Sequence, residues 1–163
     1  MKITHLPNFR TEPLVDHQRK AAYPSITHFL EGLWRRGQWQ AVTFSAADFA
    51  GTGAMTWTVA VGDVVTFAYT LNGRTMTVSF ILEFTSIGGV PDVRLAIAIP
   101  GGFLPSRSMH TAAVAYDAGW VPAVIEASEN VAVLYVRRLD SAVWTAVADG
   151  AHVYGQISFE VQG

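Results

Sequence analysis

Val64-Val65-Thr66-Phe67-Ala68-Tyr69-Thr70-Leu71-Asn72-Gly73-Arg74-Thr75-Met76-Thr77-Val78-Ser79-Phe80-Ile81-Leu82-Glu83-Phe84 is the stretch whose reading decides the fold. Large apolar residues alternate with threonine, serine and alanine on both sides of Asn72-Gly73, the period of a half-buried strand. Asn-Gly between two such runs predicts a hairpin with a two-residue type I′ turn. That turn sets Leu71 opposite Arg74, Tyr69 opposite Met76, Phe67 opposite Val78 and Val65 opposite Phe80. The apolar side chains then share one face, and a slip of one residue would scatter them over both.

Further strand-like runs continue in both directions. Trp39 to Phe44 and Ala54 to Val59 come before the hairpin. After it, Val93, Leu95, Ile97 and Ile99 alternate with Arg94, Ala96 and Ala98 until Pro100-Gly101-Gly102 stops the strand. Met109 to Tyr116, Trp120 to Ala127, Val131 to Arg138, Val143 to Ala148 and His152 to Gln162 complete the series. Turn residues separate them at Asp117-Ala118-Gly119, Ser128-Glu129-Asn130 and Asp149-Gly150. Strands at this spacing, with no helical period after Gly37, predict an all-β, antiparallel β-sandwich of the jelly-roll type.

Residues 1–37 read differently. Pro7, Pro13 and Pro24 interrupt a polar segment that predicts an extended arm. One short amphipathic helix follows, with Ile26, Phe29, Leu30, Leu33 and Trp34 on a single face. Ser25 suits its N-cap, Gly37 its C-terminal stop, and Arg35 and Arg36 the negative end of its dipole. So short a helix must dock on something, either its own domain or a partner. The division expected is 1–37, arm and anchoring helix, and 38–163, sandwich.

Charge follows the same division. Residues 1–37 carry six basic and three acidic side chains, and both lysines of the protein; residues 38–163 carry five arginines, ten acids and no lysine. A body of that kind argues against nucleic acid, which needs a dense Lys/Arg stripe. Depletion of lysine with abundant apolar residues is the composition of a buried subunit interface. The chain has no cysteine, which excludes disulfides, thiolate metal sites and thiol catalysis. No apolar run reaches the ~18 residues of a membrane span, and Met1-Lys2-Ile3-Thr4-His5 is too polar for a signal peptide. The expected partners therefore include no membrane.

No catalytic motif emerges, and the chain is read as a non-enzyme. His5, His17, His28, His110 and His152 lack metal-ligand spacing. Gly51-Thr52-Gly53 and Gly101-Gly102 lack the lysine and helix of a phosphate loop, and no serine sits on a nucleophile elbow. Asp117, Glu126 and Glu129 flank one strand–turn–strand and read as loop acids rather than as a carboxylate pair or calcium site. Neither metal nor cofactor is expected. Trp120 and Trp144, near strand ends, are candidate glycan contacts, with core or interface packing as the alternative for each. Trp57 reads as core, and Trp34 and Trp39 as packing at the helix–body junction.

Residues 54–162 resemble the small β-sandwich domains of bacteriophage tail fibres and related virion surface proteins. The resemblance rests on Trp57-Thr58-Val59, on Gly62-Asp63-Val64, and on the hairpin Tyr69…Gly73-Arg74-Thr75-Met76-Thr77-Val78-Ser79-Phe80. It extends to Ile97-Ala98-Ile99-Pro100 and to the closing Gly155-Gln156-Ile157-Ser158-Phe159-Glu160-Val161. It implies a jelly roll that trimerises about a threefold axis, somewhat like the C1q and tumour-necrosis-factor heads, on a phage particle assembled in the host cytoplasm. The expected function is then a structural virion component: tail fibre, tail or neck protein, or head decoration. Its partners would be sister copies and, through the arm and Ile26, Phe29, Leu30, Leu33 and Trp34, other virion proteins. The alternative is a receptor-binding module that takes a host surface glycan. A sandwich-scaffold hydrolase would need converging carboxylates or a histidine that no motif supplies.

Overall fold

Alternation of apolar and small polar residues builds strands throughout the body, in the computed structural model that describes residues 15–16, 21–22 and 37–162. The chain divides into two units, Met1–Gln38 and Trp39–Gly163. In the first, β1 (Val15–Asp16) pairs antiparallel with β2 (Ala21–Ala22). The helix expected over residues 25–36, with Ile26, Phe29, Leu30, Leu33 and Trp34, lies outside the described residues.

The second unit is an antiparallel all-β fold, as the sequence predicts. Its strands are β3 (Gln40–Ala41), β4 (Phe49–Gly51), β5 (Met55–Thr58), β6 (Val64–Asn72), β7 (Thr75–Gly89) and β8 (Arg94–Ala98). They continue with β9 (Met109–Asp117), β10 (Trp120–Ala127), β11 (Val133–Arg138) and β12 (Val147–Glu160). Their order is β3-β6-β7-β12-β9-β10-β11-β8-β4, with β5 also on β7. The 15-residue β7 is the spine: β12 lines one edge, while β6 and then β5 share the other. β4, last in the order, leads through Thr52–Ala54 straight into β5, so the sheet curls back towards its own middle.

β12 joins β9 only over Ala151–Tyr154. Beyond Gly155 it stays with β7, and its last residues take segment 104–106 on the other side. The sheet thus parts into two layers, and their inner faces form one core. Met76, Val78, Phe80 and Leu82 from β7 meet Leu95, Ile97, Ile125, Leu134 and Val136 from the opposite layer, all fully buried. Phe49 bridges Trp57 and Phe67, with ring centroids 5.7 and 5.6 Å away. The indole N–H of Trp57 donates to Thr85 Oγ1 (2.9 Å), which donates to the Ala151 carbonyl (2.9 Å), so this buried polar chain is satisfied.

The hairpin exists, but its turn sits one residue later than the sequence suggests. Asn72 pairs with Thr75, Leu71 with Met76, Tyr69 with Val78 and Phe67 with Phe80. The central residues are therefore Gly73 and Arg74. Only Gly73 has positive φ, +61°, the pattern of a type II′ turn, which needs glycine first, and not of type I′. The register moves by two, so the faces are preserved. Two bulges do move side chains between faces. Pairing skips one residue between Val64 and Thr66, and Val65, expected in the core, stands outside. A second irregularity, between Ala151 and Val153, lies opposite Phe84, which also turns outward. Asp149-Gly150, expected as a turn, lies within the irregular start of β12, and residues 141–146 run without strand pairing.

Candidate functional site

The outer face of β7, β12, β9 and β10 is unlike a solvated sheet face. Alternation on β12 buries Ala151 and Val153 and turns His152 and Tyr154 out. His152 pairs with Tyr116 of β9, which pairs with Trp120 of β10. Tyr154 pairs with Ile81 of β7 on one side and Val114 of β9 on the other, and Val114 with Pro122. Two adjacent cross-strand rows are therefore aromatic or aliphatic where polar residues would be ordinary.

The rings hold one another at fixed angles. Phe84 meets His152 edge-on at 4.8 Å, His152 meets Tyr116 at 5.4 Å and 87°, and Tyr116 meets Trp120 at 5.5 Å and 80°. Trp120 closes the cluster on Tyr154 at 5.7 Å, and His152 lies parallel to Tyr154 at 6.4 Å. Such pairs add about 0.5–1.5 kcal/mol each beyond the area they bury. Trp120 nevertheless remains 66% exposed and Phe84 57%.

Phe84 reaches this face through strained backbone. Its φ is +58°, a region that costs a bulky L-residue about 1–3 kcal/mol. Beside it, Glu83 supplies the polar element. The Tyr154 hydroxyl donates to Glu83 Oε1 at 2.9 Å and lies 3.5 Å from His152 Nδ1. Burial, followed by the hydrogen bond to Glu83, raises the Tyr154 phenol above its ordinary range.

Of the two tryptophans proposed as glycan contacts, the structure places only Trp120 on this face. Trp144 is wholly buried, its indole nitrogen without a hydrogen-bond partner, and it can touch no ligand. The burial follows from the 141–146 segment, whose backbone is drawn in where the Trp144 amide donates to the Asp92 carbonyl. The sequence reading missed Phe84, Tyr116, His152 and Tyr154. A signal for two of them was present: placing Val153 inside forces His152 and Tyr154 outside.

The acids weighed together do not converge. Asp117 and Glu126 occupy opposite ends of the β9–β10 ladder. Asp117 is buried, bound by Arg138 at 2.7 Å and by the Thr145 amide at 3.0 Å. Glu126 is also buried and paired to Arg137 and, at 3.7 Å, Arg94. Both are structural ion pairs and not solvated loop acids. No family model, curated protein or solved structure matches the chain. Among the described residues, no group of three or more His, Asp or Glu side chains converges as a metal site would require.

Proposed function

We propose that this chain is a structural, non-catalytic subunit of a bacteriophage particle, a β-sandwich that stands as a homotrimer and joins other virion proteins through residues 1–37. The resemblance of residues 54–162 to phage fibre domains supports the setting. Its large apolar positions Phe67, Met76, Val78, Phe80, Ile97, Ile157, Phe159 and Val161 are buried in the core, so that part of the pattern is one of fold.

The observation that carries self-association is the edge of β6, which is largely open among the described residues. Its described partner is short: β3 lies opposite Tyr69 and Ala68, and the Val42 amide donates to the Phe67 carbonyl at 2.9 Å, which leaves Val64–Thr66 and Thr70–Asn72 without a described partner on that side. Around that edge Trp39, Val61 and Val65 stand more than half exposed. Unpaired backbone flanked by exposed apolar side chains is a surface that another strand or subunit completes. The absence of lysine from the body suits such an interface.

Native mass spectrometry of the full chain tests this reading. A trimer is expected, and a Val61→Glu, Val65→Lys double variant should fall to monomers while keeping its β-sheet circular dichroism. A wild-type chain that is monomeric across the concentration range rejects it. Deleting residues 1–36 should leave a folded oligomer that no longer enters the particle, and normal incorporation would reject the anchoring role.

A further inference from the structure

We infer that the aromatic face formed by Trp120, Tyr116, His152, Tyr154 and Phe84 binds a neutral pyranose glycan, with the Glu83 carboxylate accepting hydrogen bonds from sugar hydroxyls. This goes beyond the assembly role and does not depend on the copy number of the chain.

Three observations converge on it. The first is the ring geometry. Edge-to-face contacts at 5.4–5.5 Å lock Tyr116 between His152 and Trp120, so the exposed indole is a platform already oriented before a ligand arrives. A pyranose offers the matching surface, a flat array of C–H groups rimmed by hydroxyls, and aromatic side chains suit sites that are apolar on one side and wet on the other. The second is Phe84. A bulge inverts the alternation of β7 and holds this ring outward at positive φ. Strain retained in order to expose an apolar ring points to a ligand and not to stability.

The third observation is electrostatic, and it favours a sugar over the body of a second copy. Among the described residues, Glu83 has no cationic partner, and only one of its oxygens accepts a hydrogen bond, from Tyr154. Covering it with an apolar protein surface would strand a carboxylate unless the partner supplied a cation or hydrogen-bond donors. The body of a second copy has no cation to spare. It has no lysine, and its five arginines, Arg74, Arg94, Arg107, Arg137 and Arg138, are each already in an ion pair. Sugar hydroxyls satisfy the carboxylate without a counter-charge. The same negative charge disfavours sugar acids, so the class is neutral.

The test uses the full chain labelled with nitrogen-15 and follows its tryptophan indole resonances, with Trp120 assigned from Trp120→Phe. Maltohexaose, cellohexaose, xylohexaose and chitohexaose are the neutral probes and polygalacturonate the acidic one, each titrated to about 10 mM, beyond the millimolar affinity expected of a single shallow site. At least one neutral probe should shift the Trp120 signal saturably. Followed through the backbone amides of Tyr116, His152 and Tyr154, Trp120→Ala should weaken its binding about tenfold or more and Glu83→Gln by a smaller factor, with the native mass unchanged in both. The inference is overturned if no neutral probe shifts the signal, if polygalacturonate alone does, or if Trp120→Ala binds as the wild type. It is also overturned if Trp120→Ala dissociates the oligomer, which would make this face a contact between copies.

Discussion

Ile125 on β10 fills the space that Gly155 on β12 leaves by having no side chain. A β-carbon at 155 would overlap Ile125 Cδ1 and come within 3.1 Å of Phe80 Cζ. This is where the two layers part, so the missing side chain lets a residue of one layer pack directly on the backbone of the other. Gly155→Ala is therefore expected to destabilise by about 1–3 kcal/mol, as overpacking does in a close-packed core. The loss should be partly recovered in the Gly155→Ala, Ile125→Val double variant. Urea unfolding of both single variants and the double should show a coupling of at least about 0.5 kcal/mol. Strict additivity would mean that the two sites do not share space.

Arg138 closes the chain around the β9–β10 turn. It binds buried Asp117 and exposed Asp140, both at 2.7 Å, and Asp117 also accepts from the Thr145 amide. Arg138→Leu leaves a buried carboxylate unpaired and should cost about 3–5 kcal/mol. Arg74→Ala, at an exposed pair with Glu160, should cost less than about 1 kcal/mol. Arg138's hydrogen bond, then the Ala142 amide, hold the Asp140 carboxyl below its ordinary value of 3.8. A lowered carboxylate contributes stability above its unfolded value and loses it as pH falls through the folded one. Stability should then drop below pH 3.8, and Asp140→Asn should flatten that part of the acid limb in a pH series of thermal melts.

What the sequence discloses follows from how local each signal is. The buried face of β7 was legible because Met76, Val78, Phe80 and Leu82 keep a strict period of two. Turn type was not, because Asn72-Gly73 serves a type I′ turn as central pair and a type II′ turn one residue later, and both preserve the faces. Val65 and Phe84 defeated the pattern for a common reason. A bulge inserts one residue against the partner strand, and nothing in the alternation itself marks where. The aromatic site draws on four strands, and only the pairing order of β7, β12, β9 and β10 makes Phe84, His152, Tyr116 and Trp120 neighbours. Trp120 could be named from its place at a strand start; Trp144 looked the same and is core.

Phe84 should cost the fold more than it contributes. Its backbone is strained and its ring is exposed, touching His152. Phe84→Gly is expected to keep or raise stability, by up to about 1 kcal/mol, because glycine adopts positive φ without penalty. Phe80→Ala, four residues earlier and fully buried, should lose about 3–5 kcal/mol. Thermal or urea unfolding of the two variants side by side checks the contrast. A loss at Phe84→Gly comparable to that at Phe80→Ala would show that the ring is a packing element after all.

Tyr154 supplies an alkaline counterpart to the acid limb. Its phenol is raised first by burial and then by the hydrogen bond to Glu83, both of which favour the neutral form. For an acid whose folded pKa lies above its unfolded value, the contribution to stability is fully present below the unfolded value, about pH 10. It is lost as pH rises through the folded one. Absorbance titration at the tyrosinate band should therefore find a step above pH 10 in the native protein that belongs to Tyr154. Glu83→Gln removes the acceptor charge and should bring that step part of the way back towards pH 10, while burial retains the remainder. Tyr154→Phe should delete the late step outright. If the late step survives in Tyr154→Phe, Tyr154 is not the tyrosine that gives it, and the Tyr154–Glu83 hydrogen bond does not govern that ionisation.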